Sequence, residues 1–484
     1  MAMATVLPVS LSGFTGSAAK VVYGKDSSTT LVMYSWGNKS TGVDRVEKAV
    51  NDYLTKKGAG YQIDWHLLNS DEIATKESTM LATNQPLDIA FTPSWLNGGG
   101  CPAYAQKGYL KDLGSLLKTS DGQKIIKVIG KDFLNAASVN GKYYGLPCNK
   151  EQGHSFGLLL QTKEMKKVGI NPSKIKSLED LAKYFDKVKK DGFTPICAAG
   201  MDHPFKFLDW DVVNGDDSSV GAFDPTSGEK KVVDPWIAAK SVKFYKLMKT
   251  YHDKGYITSA EASATSQEQL MNSGKYFCGS WSLKPDKYTE ESTSTKLDLT
   301  QIYITPLEKS NREGKGALLS IPTSSTHATQ AFNFISRLYT DMTLLNMMDF
   351  GVAGQDYTLG KDGRITPSDK SDFDLGHSWT IGNQYGSYVN VPSPLNLYKT
   401  YTDFNNKCKA LPSLGFTYDM AKVKTQYSAI TNVVQTYYKT LFYGTTSNVD
   451  GSVAKFRTAL RTAGEAKVLA DMNSQYSKFL KTKK

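Results

Sequence analysis

Two predicted strands end in residues whose types could bind a sugar. Trp36, Asn38 and Lys39 follow the apolar run that begins at position 30, and Ser94 and Trp95 follow the run that ends at position 92. The flat face of an indole can cover the C–H face of a pyranose, while amide, ammonium and hydroxyl groups can hydrogen-bond with the hydroxyls on its rim. Each charge-assisted hydrogen bond contributes about 1.5–3 kcal/mol at most, so several must act together. The pattern predicts a carbohydrate site.

The elements around these residues alternate between strands and helices. Apolar runs over 30–36, 61–67 and 87–92 predict strands, and helical periodicity covers 43–54 and 72–83. The order β-α-β-α-β predicts an α/β fold with an open, largely parallel sheet. In such sheets ligands bind outside the carboxyl ends of the strands, which is where both tryptophans stand.

Further along the chain the patterns are mostly helical. Asn140-Gly141 predicts the turn of a hairpin. Helices are predicted over 178–190, 236–252, 267–272, 330–339, 423–441 and 453–460, and strands over 299–305 and 317–321.

The composition is that of a globular protein with more than one domain. The chain has 484 residues, 40% hydrophobic and 22% charged, and at about 150 residues per domain this length predicts two or three domains. No window reaches the about 18 consecutive apolar residues of a membrane span. The net charge is +11, from 58 Lys+Arg and 47 Asp+Glu. Because the lysines are spread along helical faces, we interpret this charge as solvated surface rather than a nucleic-acid site, while an acidic ligand stays open.

We recognise no motif for a metal, nucleotide or cofactor. The five cysteines are far apart and include no CxxC pair, and the six histidines show no HExxH spacing. The glycine run at 98–100 is not followed by Lys-Ser/Thr, which excludes a P-loop. We therefore expect no cofactor and no metal site.

Residues 1–29 are predicted to be the remnant of an export signal followed by a linker. The segment from Met1 to Ala19 is short, apolar and rich in small residues, although it lacks a basic start. Leu11-Ser12-Gly13-Phe14 is similar to a lipobox in which Phe14 replaces the lipid-bearing cysteine, so this sequence cannot carry a thioether-linked lipid. Ser17-Ala18-Ala19 offers a signal cleavage site instead. We expect an exported protein.

Several segments taken together resemble a known family. They are LATNQPLDIAFTPSW, AQKGYLKDL, NGKYYGLPCNKE, SGKYFCGSW, LYTDMTLLNMMDFGVAGQDY, WTIGNQ and LGFTYD, and their order along the chain is also that of the family. On these segments the chain resembles extracellular solute-binding proteins of the maltose-binding, carbohydrate-uptake type, and within them the large lipoprotein branch of Gram-positive bacteria. The resemblance extends from about Thr30 to Leu480.

The resemblance implies a two-lobed periplasmic-binding-protein-like fold of type II, with the ligand in a cleft between lobes that are joined by hinge segments. The N-terminal lobe would comprise 30–151 and 318–352, and the C-terminal lobe 152–317 and 353–484. The chain would cross between the lobes near 150–154, 315–320 and 351–357.

The resemblance also implies roles for single residues. Asn38 stands where the maltose-binding type has an aspartate, and Ser94 and Trp95 stand where the family has a polar contact. Glu151 matches the hinge glutamate. The remaining candidates are Trp281 as the stacking tryptophan of the second lobe, Phe205 or Trp210 as its other aromatic, and Tyr357, Trp379 and Asn383 from motifs of the branch. We expect Trp65, Trp236 and Phe416 to pack in cores.

The implied function is that of the substrate-binding protein of an ABC importer. Such a protein closes on an oligosaccharide and delivers it to two membrane permease subunits, while separate proteins hydrolyse ATP. A neutral sugar and an acidic, uronate-type sugar both stay open, the latter because Lys39, Lys150 and Lys284 lie near the predicted cleft. A surface adhesin is a third alternative.

Catalysis is not expected. A glycosidase needs two carboxylates about 5–9.5 Å apart. Glu151 is the one strong acid that the resemblance places in the cleft, and it has no partner there. We expect a monomer that is extracellular and associated with the cell surface.

Overall fold

A computed structural model of the chain describes residues 29–38, 40–96, 100–199, 203–215, 220–261, 264 and 267–483. Its helices are α1 (Val43–Lys56), α2 (Ser70–Thr83), α3 (Gly100–Gln106), α4 (Ser120–Ile129), α5 (Lys131–Ala136), α6 (Thr162–Lys167), α7 (Leu178–Ala182), α8 (Phe185–Lys190), α9 (Ala239–Asp253), α10 (Gln267–Asn272), α11 (Lys287–Thr295), α12 (Asn311–Gly314), α13 (Ala328–Thr340), α14 (Met342–Phe350), α15 (Leu397–Lys407), α16 (Lys424–Phe442), α17 (Val449–Thr462) and α18 (Glu465–Thr482). Its strands are β1 (Thr30–Trp36), β2 (Gln62–Leu68), β3 (Ile89–Phe91), β4 (Leu146–Pro147), β5 (Ser155–Gln161), β6 (Thr194–Cys197), β7 (Asp211–Val212), β8 (Ala222–Phe223), β9 (Tyr276–Leu283), β10 (Leu299–Tyr303), β11 (Glu308–Lys309), β12 (Leu318–Ser320), β13 (Tyr357–Leu359), β14 (Arg364–Pro367), β15 (Val389–Asn390) and β16 (Lys409–Ala410).

The first large sheet contains β1, which ends at Trp36, and β3, which is followed by Trp95. Its order is β2-β1-β3-β12-β4. Strands β2 and β3 both run parallel to β1, whereas β12 runs antiparallel to β3 and to β4. The parallel part confirms the predicted β-α-β order. Strand β12 comes from a much later part of the chain, so that order does not set its direction.

Helix α1 closes the free edge of this sheet. Val46, Val50 and Leu54 lie three or four residues apart and are buried on one face. Asn51 of the same helix donates to the carbonyl of Ile63 at 2.8 Å and accepts from the Ile63 N–H at 2.8 Å. Because β2 is an edge strand, these bonds satisfy backbone groups that the sheet leaves open.

A second sheet and a second core form the other lobe. The order of this sheet is β10-β5-β9-β6, with β9 and β6 parallel and the other pairs antiparallel. The first core contains buried residues from 31–148 and 317–381, and the second from 158–302 and 416–476. The described chain therefore builds two α/β lobes and passes between them more than once.

The predicted domain boundaries stay a prediction. Phe373, Leu375 and Ile381 pack in the first core, although the predicted boundaries give residues after 352 to the second lobe. These residues belong to the first core because two backbones approach each other closely at Gly37. A Cβ atom on Gly37 would lie 2.5 Å from the carbonyl oxygen of Leu375. The segment around Leu375 thus packs directly on the end of β1.

The smaller predicted elements agree with the structure in part. Helix α10 has the predicted bounds, and Asn140 and Gly141 form a turn with positive φ angles inside the Val139–Lys142 bridge. The helix predicted over 178–190 is instead two shorter helices, α7 and α8. All five cysteines are buried with free thiols. Within the described residues, no helix combines the length and apolar character that a bilayer crossing requires.

Candidate functional site

Four half-buried rings surround the carboxyl ends of β1 and β3. The ring centroid of Trp36 lies 5.3 Å from that of Trp95, 5.2 Å from that of Trp379 and 4.4 Å from that of His377, on which it stacks. Phe91 lies beneath them, 6.3 Å from both Trp36 and Trp95. We call Trp36, Phe91, Trp95, His377 and Trp379 the aromatic cluster. Its three half-buried indoles are the kind of flat apolar surface that a pyranose ring requires.

The loop over 372–379 supplies two of the five members of this cluster from a distant part of the chain. The carbonyl of Leu375 accepts from the Asn38 N–H at 3.1 Å, and that of Asp372 accepts from the Gly42 N–H at 2.8 Å. The Asn38 side chain donates to Asp374 at 2.8 Å. These bonds fix the loop across the end of β1 and place His377 and Trp379 beside Trp36. They also occupy Asn38, which the sequence predicts as a sugar contact. Lys39 lies outside the described residues.

The loop after β3 is fixed in a similar way. The Trp95 Nε1 donates to the carbonyl of Gly316 at 2.7 Å, and the Ser94 N–H donates to that of Lys315 at 2.9 Å. The Ser94 hydroxyl donates to the carbonyl of Gly215 at 3.2 Å. Trp95 is therefore held with its ring in the cluster, whereas Ser94, another predicted contact, bonds the second lobe.

A row of alternating charges runs from the first crossing segment to the start of α11. We call it the charge chain. Its members, in order of contact, are His154, Glu313, Lys150, Glu151, Lys284, Glu290, Lys287 and Glu291.

The hinge half of the charge chain is centred on Lys150. Its Nζ lies 2.9 Å from Glu313 and 3.0 Å from Glu151, and Glu313 also lies 3.3 Å from the His154 ring. Burial alone would lower the pKa of Lys150, but Glu151 and Glu313 raise it above its usual value. Burial would raise the pKa of Glu313, but Lys150 and His154 hold it well below its usual range. Both groups are therefore charged at neutral pH.

The other half of the charge chain belongs to the second lobe. The Lys284 Nζ lies 3.6 Å from Glu151 and 3.2 Å from Glu290. The Lys287 Nζ lies 2.7 Å from both Glu290 and Glu291. Burial raises the pKa of Glu291 to about 7, although Lys287 opposes this. Each lysine of the chain is thus neutralised by two carboxylates.

The aromatic cluster and the charge chain face each other. The Lys150 Nζ lies 6.0 Å from the Trp379 ring centroid, within the range of a cation–π contact. Burial lowers the pKa of His377 to about 4, and the negative charge of Glu290 opposes this, which places Glu290 near His377. Apolar plates thus lie opposite paired charges, the arrangement expected for a ligand with apolar faces and a hydroxylated rim.

Comparison with known proteins identifies the family. A family model described as "Bacterial extracellular solute-binding protein" matches residues 48–352, well over half of the chain. The chain belongs to this family. A second model, described as a domain of unknown function (DUF3502), matches residues 412–481. The predicted family and its two-lobed α/β fold are confirmed.

Individual relatives of this solute-binding protein are similar over nearly the whole chain. It is 25% identical over 479 residues to a carbohydrate ABC transporter substrate-binding protein of Streptococcus pneumoniae serotype 4, which covers 97% of this chain and 94% of the relative. The crystal structure of the N-glycan transport solute binding protein NgtS from Streptococcus pneumoniae, in complex with Man5GlcNAc, is 25% identical with a TM-score of 0.79 and covers 94% of this chain and 99% of that one. The alginate-binding protein AlgQ2 shares the fold at 15% identity, with a TM-score of 0.64 and 94% and 99% coverage.

Other predicted site residues of the solute-binding protein lie inside the second lobe. Trp281 is 2% exposed and packs in a cluster with Leu159, Met271 and Leu299. A tryptophan whose ring is buried offers no surface to a sugar in this conformation. Its role as a stacking plate stays a prediction and requires that cluster to open.

The second-lobe aromatics Phe205 and Trp210 also pack against protein. Phe205 stacks on Trp236 and Phe442, at 5.7 Å and 4.6 Å between centroids. Trp210 is covered by the Lys240 ammonium, 3.6 Å from its ring centroid. Both rings thus lie in second-lobe packing, and their roles as sugar contacts stay predictions. Phe416, Trp65 and Trp236 are buried, as expected.

Tyr357 and Asn383 lie beside the site and support its frame. Tyr357 is 7% exposed and contacts Phe350 and Tyr388. The Asn383 Oδ1 accepts from the Asn149 side chain at 2.7 Å and so anchors the residue next to Lys150.

Sequence reasoning missed His377, Lys287 and Glu290 as site residues. His377 does not follow a predicted strand, and Lys287 and Glu290 have the spacing of two neighbours on an ordinary exposed helix. Glu151, by contrast, lies within the charge chain as its position predicts. The sequence did offer one signal for His377, namely its position two residues before the candidate Trp379.

Proposed function

We propose that this solute-binding protein captures a neutral oligosaccharide between the aromatic cluster and the charge chain and delivers it to the membrane permease of an ABC importer. The observation that carries the proposal is the grouping of Trp36, Trp95 and Trp379, with the Lys150 ammonium of the charge chain 6.0 Å from the Trp379 ring centroid. Indole faces cover the C–H faces of a sugar, and charged groups bind its hydroxyls. Two relatives support this class of ligand, since one is named a carbohydrate substrate-binding protein and NgtS is in complex with Man1GlcNAc and Man5GlcNAc.

The pairing of the lysines favours a neutral ligand over a uronate. The acidic alternative depends on Lys39, Lys150 and Lys284 as free cations near the cleft, and of these the structure describes Lys150 and Lys284. Each of these lysines instead contacts two carboxylates. A uronate would therefore meet as much negative as positive charge along this wall.

Hinge closure supplies the proposed mechanism. A sugar that first binds the aromatic cluster gains contacts with α11 only when the second lobe approaches. A ligand shifts an equilibrium between two conformations by its difference in affinity for them. The contacts of α11 therefore favour the closed form, which is the form that the permease would receive.

Binding without turnover is part of the proposal. A glycosidase needs a protonated carboxyl group beside the scissile bond. Burial raises the pKa of Glu291 to about 7, but its side chain is 7% exposed and contacts Lys287 at 2.7 Å, so it is enclosed by protein. Glu313 and Glu290 both have a pKa below the usual range, because lysines outweigh the effect of burial. These carboxylates stay ionised at neutral pH and suit hydroxyl binding. A monomer associated with the outer cell surface completes the proposal.

Isothermal titration of the full chain with Man5GlcNAc, and with a tetrameric uronate, tests this function. We expect the affinity for the neutral glycan to change little between about 50 and 500 mM salt. Over the same range, salt would screen the attraction between a uronate and positive charges and so weaken its binding. Trp36→Ala is expected to weaken glycan binding at least about tenfold, since it removes a large apolar contact. Tyr303→Ala is the control, because Tyr303 is exposed and belongs to neither part of the site.

Two outcomes would contradict the proposal. One is a wild-type chain that binds the uronate and no neutral glycan. The other is shortening of Man5GlcNAc during hours of incubation, which would show an enzyme.

A further inference from the structure

Glu290 is the most solvent-accessible carboxylate of the charge chain. Its side chain is 33% exposed, compared with 13% for Glu151, 9% for Glu313 and 7% for Glu291. The other three are enclosed by protein and serve mainly to balance lysines. Glu290 therefore has the free surface that contact with a ligand requires.

The surroundings of Glu290 hold it in one place as an anion. It lies in the first turn of α11, where the helix dipole favours negative charge. Lys287 bonds one carboxylate oxygen at 2.7 Å, and Lys284 lies 3.2 Å from the other. These lysines lower the pKa of Glu290 below its usual range, although burial opposes them. A carboxylate oxygen has more than one lone-pair direction, so the free ones can accept from a ligand.

Opposite Glu290 lies an uncharged imidazole. Burial lowers the pKa of His377 to about 4, so the ring is neutral at pH 7 and can both donate and accept a hydrogen bond. It stacks on Trp36 at 4.4 Å. A sugar ring on the indoles would thus have the polar edge of His377 and the carboxylate of Glu290 at its rim.

We propose that Glu290 is the specificity-determining residue of the sugar site, where it accepts hydrogen bonds from vicinal hydroxyls of a neutral glycan, beside His377, and repels glycans that carry a carboxylate. The inference rests on the proposed function and names the residue that selects its ligand class. A carboxylate can only accept, so it needs hydroxyl or amide donors and disfavours a second anion. The lysines around it are not free cations, because Lys284 also contacts Glu151 and Lys287 also contacts Glu291.

Glu290→Gln tests the inference, because it keeps the shape of the side chain and removes its charge. We expect the affinity for Man5GlcNAc to fall about tenfold or more, the loss of one charge-assisted hydrogen bond. We expect the affinity for a tetrameric uronate to stay the same or rise. The ratio of the two affinities is the decisive readout, since a purely structural defect would weaken both ligands alike. Glu179→Gln, an exposed carboxylate in the first turn of α7, is the matched control and is expected to bind as the wild type does.

The possible failures are distinguishable. If the wild type binds no neutral glycan, the proposed function fails and the inference with it. If the wild type binds Man5GlcNAc and Glu290→Gln leaves the ratio unchanged, only the inference is overturned. A circular-dichroism melt of the variant shows whether α11 and its lobe remain folded, and a second variant, Glu290→Asp, is expected to keep the selectivity against uronate while losing part of the glycan affinity. A Glu290→Asp chain whose ratio of glycan affinity to uronate affinity falls as far as that of Glu290→Gln would also overturn the inference.

Discussion

Among single residues, Lys150 shows most clearly how the site depends on paired charges. Its side chain is 5% exposed and contacts Glu151 and Glu313. Moving an ammonium group out of water costs several kcal/mol, which only close counter-charges offset. Cys148 packs in the first core and Leu158 in the second, so Lys150 lies where the chain crosses between the lobes. The site is therefore sensitive to loss of either sign of charge.

Lys150→Met is predicted to destabilise the protein. The change keeps most of the side-chain length and leaves two buried carboxylates without their shared cation. We expect the free energy of unfolding to fall by about 3 kcal/mol, as measured by urea denaturation at pH 7. Lys399→Met is the control, since Lys399 pairs with Asp403 at 2.7 Å on the surface, and such pairs contribute less than about 1 kcal/mol. Equal effects of the two variants would contradict the argument.

Among the elements, the segment over 411–418 forms hydrogen bonds with residues of both lobes. We call it the strap. Its Ser413 carbonyl accepts from Asn311 at 2.9 Å, and its Tyr418 N–H donates to Asn214 at 2.8 Å. On the first-lobe side, the Thr417 hydroxyl donates to the Ser138 carbonyl at 2.8 Å, and Gln106 donates to the Tyr418 carbonyl at 2.9 Å. The strap thus begins the domain of unknown function and bonds to both lobes.

Thr417→Val is predicted to loosen the attachment of the two lobes. The variant keeps the shape of the side chain and removes one of the strap's bonds to the first lobe, a loss of about 1 kcal/mol. If the closed form holds this bond, the affinity for Man5GlcNAc should fall about fivefold, and small-angle scattering should show a larger ligand-free radius of gyration. Thr436→Val is the control, because its hydroxyl bonds within α16. Unchanged scattering and affinity in Thr417→Val would show that the strap does not hold the lobes.

At the scale of the whole molecule, burial shifts the pKa of more acids than histidines among the residues that the structure describes. Burial raises the pKa of several carboxyl groups, among them Glu291 and Asp349, to about 7, and Glu229, Asp234 and Glu308, to about 8. An acid with a raised pKa holds a proton in the native state after the unfolded chain has lost it, so stability falls as pH rises through that interval. Burial lowers the pKa of His203 to about 3 and of His377 to about 4, which has the opposite effect below pH 6.5.

The folded protein is therefore predicted to be more stable at pH 5.5 than at pH 8. Glu290 and Glu313 do not alter this, because a lowered acid pKa loses its stabilisation only below the unfolded value of 4.5. Urea denaturation across this range measures the effect. Glu308→Gln should raise stability at pH 8 and flatten the profile, whereas the exposed Glu179→Gln should leave it unchanged. A free energy of unfolding that increases from pH 5.5 to pH 8 would contradict the prediction.

The local patterns of the sequence were sufficient for the elements and for one wall of the site. Hydrophobic periodicity depends on neighbours along the chain, so it located α1, α10, β1 and β2 within a few residues. Because ligands of parallel sheets bind at strand ends, the same patterns brought Trp36 and Trp95 together.

Only the tertiary structure decided the rest of the site. His377 and Trp379 reach Trp36 because two backbones meet at Gly37, a contact between segments more than 300 residues apart in sequence. The period of β9 puts Trp281 on one face of its sheet but cannot say whether that face meets core or cleft, and it proves to be core. The pairs of Lys287 with Glu290 and Glu291 are local, but the contact of Lys284 with Glu151 joins segments more than 100 residues apart and is decided by the tertiary structure.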